Sequence, residues 1–156
     1  MILIQRPGRD FIEIEYIIID FEGTLAKDRR VNPKAKDKIN LLSKRTKIYI
    51  FTHSEKEIVL KTLKNTKAEI LFIAEGKASE EKINFLREIG PEHTVVIGNG
   101  QNDVQMIREA ALSICVIGRE GAFTEALTHS NLVMTDIIDA LDFLLKPLRQ
   151  KATLGQ

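Results

Sequence analysis

Short apolar runs alternate with amphipathic segments along most of this chain, and that alternation constrains the fold more than any other feature. The runs are typical of strands buried on both faces, since they lack the polar positions of a half-exposed strand. They predict strands at residues 16–20, 48–51, 69–73, 94–97, 113–117 and 132–134. The segments between them predict helices at residues 33–43, 54–63, 79–89, 103–111, 121–127 and 137–145. Strands that alternate with helices form a parallel sheet covered on both faces, so we expect a three-layer, Rossmann-like α/β fold.

The two ends of the chain depart from this alternation. Residues 1–15 contain two short apolar stretches around a Pro- and Gly-bearing turn at residues 6–10, which predicts a β-hairpin that leads into the strand ending at Asp20. Residues 146–156 are predicted to be a loose tail. No repeat, charged block or flexible linker divides the chain, so we expect one domain over residues 1–156.

The composition excludes several classes of protein. Of 156 residues, 44% are hydrophobic and 29% are charged, which is a globular balance rather than that of a disordered chain. Lys plus Arg number 23 and Asp plus Glu 22, so the chain lacks the excess of basic residues that is typical of nucleic-acid-binding proteins. A single Cys cannot form an internal disulfide, and no apolar run approaches the ~20 residues that cross a bilayer. We therefore expect a cytoplasmic protein with neither nucleic-acid nor membrane partners.

Polar residues follow the predicted strands at the points where the strands end. Ligands of an open parallel sheet bind beyond the carboxyl ends of its strands, so residues 20–24, 52–54, 75–77 and 98–103 are expected at one edge. Their carboxylate and amide oxygens suit Mg²⁺, and their hydroxyls, backbone N–H groups and lysine suit phosphate. The spacings of a zinc site and of a nucleotide phosphate loop are absent, and Asp103 stands where a dinucleotide fingerprint needs glycine. The sequence predicts a site for a metal and a phosphate group.

Several of these segments resemble the motifs of the haloacid dehalogenase-like (HAD) superfamily. Residues 17–25, IIIDFEGTL, resemble its first motif, an apolar run followed by Asp-x-Asp-Gly-Thr. Residues 48–52 resemble its second motif, and residues 98–103, GNGQND, resemble the fourth, Gly-Asp-Gly-x-Asn-Asp. Residues 79–136 are similar to the phosphorylation domain of P-type ATPases. The resemblance extends over about residues 12–145 and is greatest to small soluble P-type ATPase-like phosphatases.

The resemblance implies a role for each matched residue. Asp20 is the nucleophile that forms an aspartyl-phosphate, and Glu22 is the acid and base that protonates the leaving group and then activates water. Thr52 and the backbone amide of His53 bind a phosphoryl oxygen. A third-motif lysine stabilises the transferring group, and Lys82 matches that motif better than its alternative, Lys77, which lies nearer a strand end.

The same resemblance implies a Mg²⁺ cofactor and two departures from the motifs. Asp20, the backbone carbonyl of Glu22, Asn99 and Asp103 are the expected metal ligands. Glu22 stands where the family has Asp and is one methylene longer, which affects its reach for the acid and base role. Asn99 replaces another Asp and brings no charge, so we expect weak Mg²⁺ binding and low activity. Without the resemblance, Asp103 and Thr52 are also interpretable as helix-terminal residues, and Asn99 as a turn residue.

No segment is long enough for a cap domain. The stretches 25–48 and 52–77 are already used by the predicted loops, helices and strand, so the active site is expected to be open to solvent, with a second copy of the chain as one candidate for its missing wall. The expected function is Mg²⁺-dependent hydrolysis of a phosphate ester through an aspartyl-phosphate on Asp20. Two alternatives remain: a catalytically weak or inactive module that binds phosphate or a protein partner, and a detached phosphoryl-transfer domain like that of P-type ATPases.

Overall fold

An antiparallel hairpin begins the structure, a computed structural model that describes every residue except Pro7, Arg9 and Gln156. The hairpin consists of β1 (Ile2–Gln5) and β2 (Phe11–Ile14). Its buried isoleucines pack into the same apolar cluster as one face of the main sheet. The predicted N-terminal hairpin is therefore confirmed, while the predicted turn at residues 6–10 falls partly outside the described residues.

The remaining described strands form a parallel central sheet and one small flap. They are β3 (Tyr16–Asp20), β4 (Ala26–Lys27), β5 (Arg30–Val31), β6 (Lys47–Thr52), β7 (Glu69–Phe72), β8 (Thr94–Gly98), β9 (Leu112–Val116) and β10 (Leu132–Met134). Six of these described strands pair in parallel in the order β10-β9-β8-β3-β6-β7. The central strand β3 is buried along nearly its whole length, as its continuous apolar run predicts.

Helices cover both faces of this sheet, which confirms the predicted three-layer fold. They are α1 (Pro33–Leu42), α2 (Lys56–Thr62), α3 (Ala78–Ile89), α4 (Val104–Glu109), α5 (Thr124–His129), α6 (Ile137–Leu145) and α7 (Pro147–Leu154). Successive side chains of a strand point to opposite faces. Ile17 and Ile19 accordingly pack in the cluster with α1 and α6, and Ile18 packs in the cluster with α3, α4 and α5.

The C-terminal prediction is wrong, because most of the predicted loose tail is helix α7. Pro147 begins this helix, where its fixed φ and missing N–H group cost nothing. The buried side chain of Gln150 donates from Nε2 to the Phe143 carbonyl at 2.9 Å, and Leu154 is buried against the core. The helix leaves only a weak pattern in the sequence, because few of its side chains face the core.

Two further differences lie near the predicted site. The predicted loop at residues 20–32 contains the β4-β5 flap, whose turn places Asp28 and Arg29 at positive φ. The helix predicted at 103–111 starts at Val104, after a 3₁₀ turn over Gln101–Asp103, and the one predicted at 121–127 is α5. The described residues include no inserted cap domain, and none of their helices has the length and apolarity to cross a membrane.

Candidate active site

The parallel register brings three predicted motifs to one edge of the sheet. Asp20 ends β3 and lies opposite Phe51 of β6, while Ile19 lies opposite Ile97 of β8. The residues that follow these strands therefore meet beyond their carboxyl ends, where ligands of such sheets bind. Asp20 and Thr52 are buried, at 6% and 0% exposure, so both groups are held by the protein rather than by solvent.

Lys82 of α3 is the cation at the centre of this edge. Its ammonium donates to Asp20 Oδ1 at 2.9 Å, to Asp103 Oδ1 at 2.9 Å and to Asn102 Oδ1 at 2.6 Å, and the side chain is only 1% exposed. Such contacts offset the cost of burying an ammonium group. The alternative lysine, Lys77, is exposed at the start of α3.

The charges around Lys82 do not balance. One ammonium is shared by two buried carboxylates, so one negative charge stays without a full partner. Burial and the Asp103 carboxylate raise the pKa of Asp20 well above its usual value, against the opposing effect of Lys82. Burial lowers the pKa of Lys82, but Asp103 and Asp20 outweigh it and raise that pKa above its usual range. This cluster therefore favours additional positive charge.

Asp103 also fixes the loop that follows β8. Its second oxygen, Oδ2, accepts from the backbone N–H groups of Asn99 at 3.1 Å and Gly100 at 3.0 Å. The carboxylate lies so close to Gly98 that a Cβ there would meet Asp103 Cγ at 2.6 Å. Both carboxylate oxygens of Asp103 thus accept hydrogen bonds from the protein. Asp103, which was predicted to be a metal ligand, instead contacts Lys82 and the loop after β8 in this structure.

Asn99 is held against the first motif. Thr24 Oγ1 donates to Asn99 Oδ1 at 3.0 Å, and Asn99 Nδ2 donates to the Gly121 carbonyl at 3.3 Å. Gly23 lies directly beneath this amide at φ +75°, and a Cβ there would meet Asn99 Nδ2 at 2.5 Å. The glycine of the first motif is therefore required twice, by the backbone conformation and by the close approach of Asn99.

The side chain of Glu22 turns toward the second motif. Its Oε1 atom accepts from Thr52 Oγ1 at 2.5 Å, from the His53 N–H at 2.9 Å, and from Ser54 Oγ at 2.9 Å and Ser54 N at 3.2 Å. Thr52 and the His53 amide are the groups predicted to bind a phosphoryl oxygen. In this structure they hold the chain's own carboxylate.

The oxygen donors at this edge fit a magnesium ion in kind. The candidates are the Asp20 carboxylate, the Asn99 amide oxygen and the backbone carbonyl of Glu22, all hard oxygen donors of the type that Mg²⁺ prefers. Asp20 is the one charged donor of the three, since the other carboxylate of the predicted set, that of Asp103, is engaged by Lys82 and by the loop after β8. Within the described residues, no group of three or more His, Cys, Asp or Glu side chains is arranged to hold a metal ion.

Three residues of the site were not assigned a role from the sequence. Thr24 and Asn102 lie inside the resembling motifs, and Ser54 lies two residues after the second motif, so their positions in the sequence were a signal. Their partners are far away in sequence, such as Lys82 for Asn102 and Glu22 for Ser54. Only the fold brings these groups together.

An open cleft of about 560 Å³ lies beside this cluster. Asn102, which contacts Lys82, is part of its wall. The lining also includes Phe123, Arg108 and Ser79, so the surface offers an aromatic ring, a cation and a hydroxyl group.

Comparisons with known proteins identify solved structures that share this fold. No protein-family model matches the chain. Solved structures with the same fold include 3-deoxy-D-manno-octulosonate 8-phosphate phosphatase from Moraxella catarrhalis, in complex with magnesium, phosphate and the sugar acid (TM-score 0.71, 15% identity, 87% of this chain and 88% of that chain). The cobalt-bound octulosonate 8-phosphate phosphatase from Haemophilus influenzae matches similarly (TM-score 0.70, 14% identity, 90% and 91%). The protein therefore has the HAD-like fold, as its motifs predicted.

Sequence similarity gives a narrower relationship. An uncharacterized protein from Methanocaldococcus jannaschii is 43% identical over 82 residues, which cover 50% of this chain and 88% of that protein. This chain belongs to the same family as that protein. The predicted likeness to P-type ATPases is not tested by these comparisons and stays a prediction.

Proposed function

We propose that this protein is a Mg²⁺-dependent phosphatase that hydrolyses a phosphate ester through an aspartyl-phosphate on Asp20. One observation carries the proposal: beside the buried Asp20, the Thr52 hydroxyl and the His53 amide already bind an oxyanion, the carboxylate of Glu22. Groups that bind a carboxylate oxygen are suited to a phosphoryl oxygen. The fold shared with magnesium- and cobalt-bound phosphatases supports the same function.

In the first step, Asp20 attacks phosphorus. Lys82 holds Oδ1, which leaves Oδ2 to form the new P–O bond while the ester P–O bond breaks. The departing oxygen takes the electron pair of that bond and a proton, for which Glu22 is the predicted donor once its carboxyl has left Thr52. The positive charge of Lys82 stabilises the transferring group.

In the second step, water attacks phosphorus and the P–O bond to Asp20 breaks, which releases inorganic phosphate and restores the Asp20 carboxylate. Glu22 is the predicted base that takes the proton of the water. Asp103 acts through Lys82 and the loop after β8, since it contacts both. Asp20, Asn99 and the Glu22 carbonyl would hold Mg²⁺, with Asp103 as the remaining predicted ligand. When bound, the metal ion would offset the negative charge of the phosphoryl group.

A catalytically weak phosphate-binding module is the second candidate. The turn of Glu22 toward residues 52–54 favours it, because that carboxyl is not free to move a proton in this arrangement. A detached phosphoryl-transfer domain predicts instead a long-lived aspartyl-phosphate, which acid quenching after incubation with a labelled substrate would trap. A second copy of the chain that completes the open site stays a hypothesis, tested by the solution molecular mass with and without Mg²⁺.

The deciding experiment is hydrolysis of a generic aryl phosphate, with Mg²⁺ and with a chelator. We expect turnover in the wild type with Mg²⁺, and a loss of at least about 10³-fold for Asp20→Asn, which removes the nucleophile. Asp37→Asn is the matched control, since it makes the same chemical change on the exposed surface of α1. Turnover that survives Asp20→Asn contradicts the mechanism, and folded wild type without turnover favours the binding module.

A further inference from the structure

The anion-binding groups at the end of β6 and directly after it form a compact set, here called the cradle: Thr52 Oγ1, the His53 N–H, and the N–H and hydroxyl of Ser54. All four donors converge on one atom, Glu22 Oε1, at 2.5–3.2 Å. Thr52 is fully buried, and its hydroxyl is oriented further by accepting from Ser54 N at 3.0 Å. The cradle is therefore a built anion site with an occupant from the chain itself.

The length of the Glu22 side chain makes this occupancy achievable. Glu22 follows β3 by two residues and crosses to the end of β6, the neighbouring strand. An aspartate at the same position would be shorter by one carbon–carbon bond, about 1.5 Å. Four contacts of hydrogen-bond length do not tolerate a loss of that size, because hydrogen bonds weaken steeply beyond their normal distance.

We propose that Glu22 is a tethered competitor of the phosphoryl group, so that it sets which anions the cradle admits. The inference rests on the proposed function, in which the cradle receives a phosphoryl oxygen. A ligand must displace a carboxylate that already satisfies every donor. Singly charged anions such as acetate gain nothing over it, whereas a phosphoryl dianion brings more charge and more acceptor oxygens. Glu22 thereby selects phosphoryl groups and raises the concentration needed to bind them.

The size of the effect follows from population arithmetic. The apparent dissociation constant equals the intrinsic value divided by the fraction of molecules whose cradle is open. A tethered group has a local concentration of order mM or more, so the closed form dominates unless its contacts are very weak. With about 90% of the molecules closed, removal of the competitor tightens anion binding about tenfold.

Calorimetric titration with inorganic phosphate tests this directly, at fixed pH and Mg²⁺ concentration and on the full chain. We expect Glu22→Ala to bind phosphate about tenfold more tightly than the wild type. Glu22→Asp is the decisive variant, because it keeps the negative charge but does not reach the cradle, and we expect it to bind phosphate more tightly as well.

Loss of a negative charge alone also favours anion binding, so a charge control is needed. Glu120 is exposed and its carboxylate lies near the first motif, 2.9 Å from the position of a Cβ on Gly23. Glu120→Ala therefore removes a nearby charge without opening the cradle, and we expect it to change phosphate affinity by less than about threefold. Circular dichroism spectra identify any variant that does not fold.

Each outcome decides between the two proposals. Equal phosphate affinity in the wild type, Glu22→Ala and Glu22→Asp overturns the competitor role, as does tightening in Glu120→Ala as large as in Glu22→Ala. The absence of phosphate binding in all folded variants also overturns it. If both Glu22 variants bind phosphate tightly while the folded wild type does not hydrolyse an aryl phosphate, the competitor role stands and the phosphatase proposal fails.

Discussion

Replacement of Lys82 by methionine tests the physical core of the site. Lys82→Met keeps most of the length and volume of the side chain and removes the ammonium that joins Asp20 to Asp103. Two carboxylates, at 8% and 0% side-chain exposure, then face each other without a cation. Loss of one partner from a buried ion pair costs about 3–5 kcal/mol, since the remaining charge stays desolvated. That is a large share of the roughly 5–15 kcal/mol by which a domain is stable.

The assay is urea unfolding followed by far-UV circular dichroism, in buffer with a chelator so that no metal ion replaces the lost charge. The expected loss in the free energy of unfolding is about 3–5 kcal/mol. In thermal unfolding, the same loss corresponds to a fall in Tm of about 6–20 °C for a chain of this size. Lys77→Met is the matched control on an exposed lysine, and we expect its effect to stay within about 0.5 kcal/mol. A loss below about 1 kcal/mol in Lys82→Met would refute the account of Lys82 as the counter-charge of the buried carboxylates.

A second substitution separates charge from packing. Asp20→Asn added to Lys82→Met removes one of the uncompensated charges, so the double variant should be more stable than Lys82→Met alone. Residues that share one network show coupling energies of about 0.5–3 kcal/mol in such cycles. Strict additivity of the two changes would mean that the destabilisation comes from altered packing around residue 82 rather than from charge.

Two further substitutions test other parts of the structure. Gly98→Ala should cost about 1–3 kcal/mol in urea unfolding, because the new Cβ would lie 2.6 Å from the Asp103 carboxyl, and an unchanged midpoint would contradict that close approach. Asp136→Ala removes the N-terminal cap of α6, where Oδ1 accepts from Ile138 N at 2.7 Å, and an ion pair with Lys27, so we expect a loss of about 1 kcal/mol at neutral pH. Partial burial raises the pKa of Asp136, but Lys27 and the Ile138 N–H outweigh it and hold that pKa below its usual 3.8. The stabilisation by the Asp136 carboxylate is thus complete above pH 3.8 and is lost as the pH falls through the lower pKa of the folded state. The difference in unfolding free energy between Asp136→Ala and the wild type should therefore shrink in acid.

The fold was predictable because burial on both faces leaves a strong pattern in the sequence. A central strand such as β3 must be apolar throughout, and its position relative to the helices follows from the handedness of crossovers. Short or lightly buried elements leave no such pattern. The β4-β5 flap depends on positive φ at Asp28 and Arg29, and α7 on the contact of Gln150 with the Phe143 carbonyl.

The site was predictable in position but not in orientation. Strand ends indicated which residues meet. Lys82, the lysine chosen from its motif, lies between Asp20 and Asp103, and its catalytic role stays a prediction. The direction of the Glu22 side chain had no signal, because it depends on the backbone conformation of the segments that follow β3 and β6 and on the donors of residues 52–54. That direction changes the chemistry expected of residue 22.

The charges of the site argue for a cation during phosphate binding, independently of the motifs. Lys82 offsets only one of the two buried carboxylates that it contacts, and Glu22 adds a third negative charge nearby. A phosphoryl dianion that displaced Glu22 from the cradle would leave that carboxylate close by and bring two more charges toward Asp20. Mutual repulsion in a partly desolvated site is too strong for such a complex unless positive charge enters with the ligand. A divalent ion held by hard oxygens at Asp20 and Asn99 would supply that charge, so we expect phosphate affinity to depend on the metal concentration even in variants that cannot turn over.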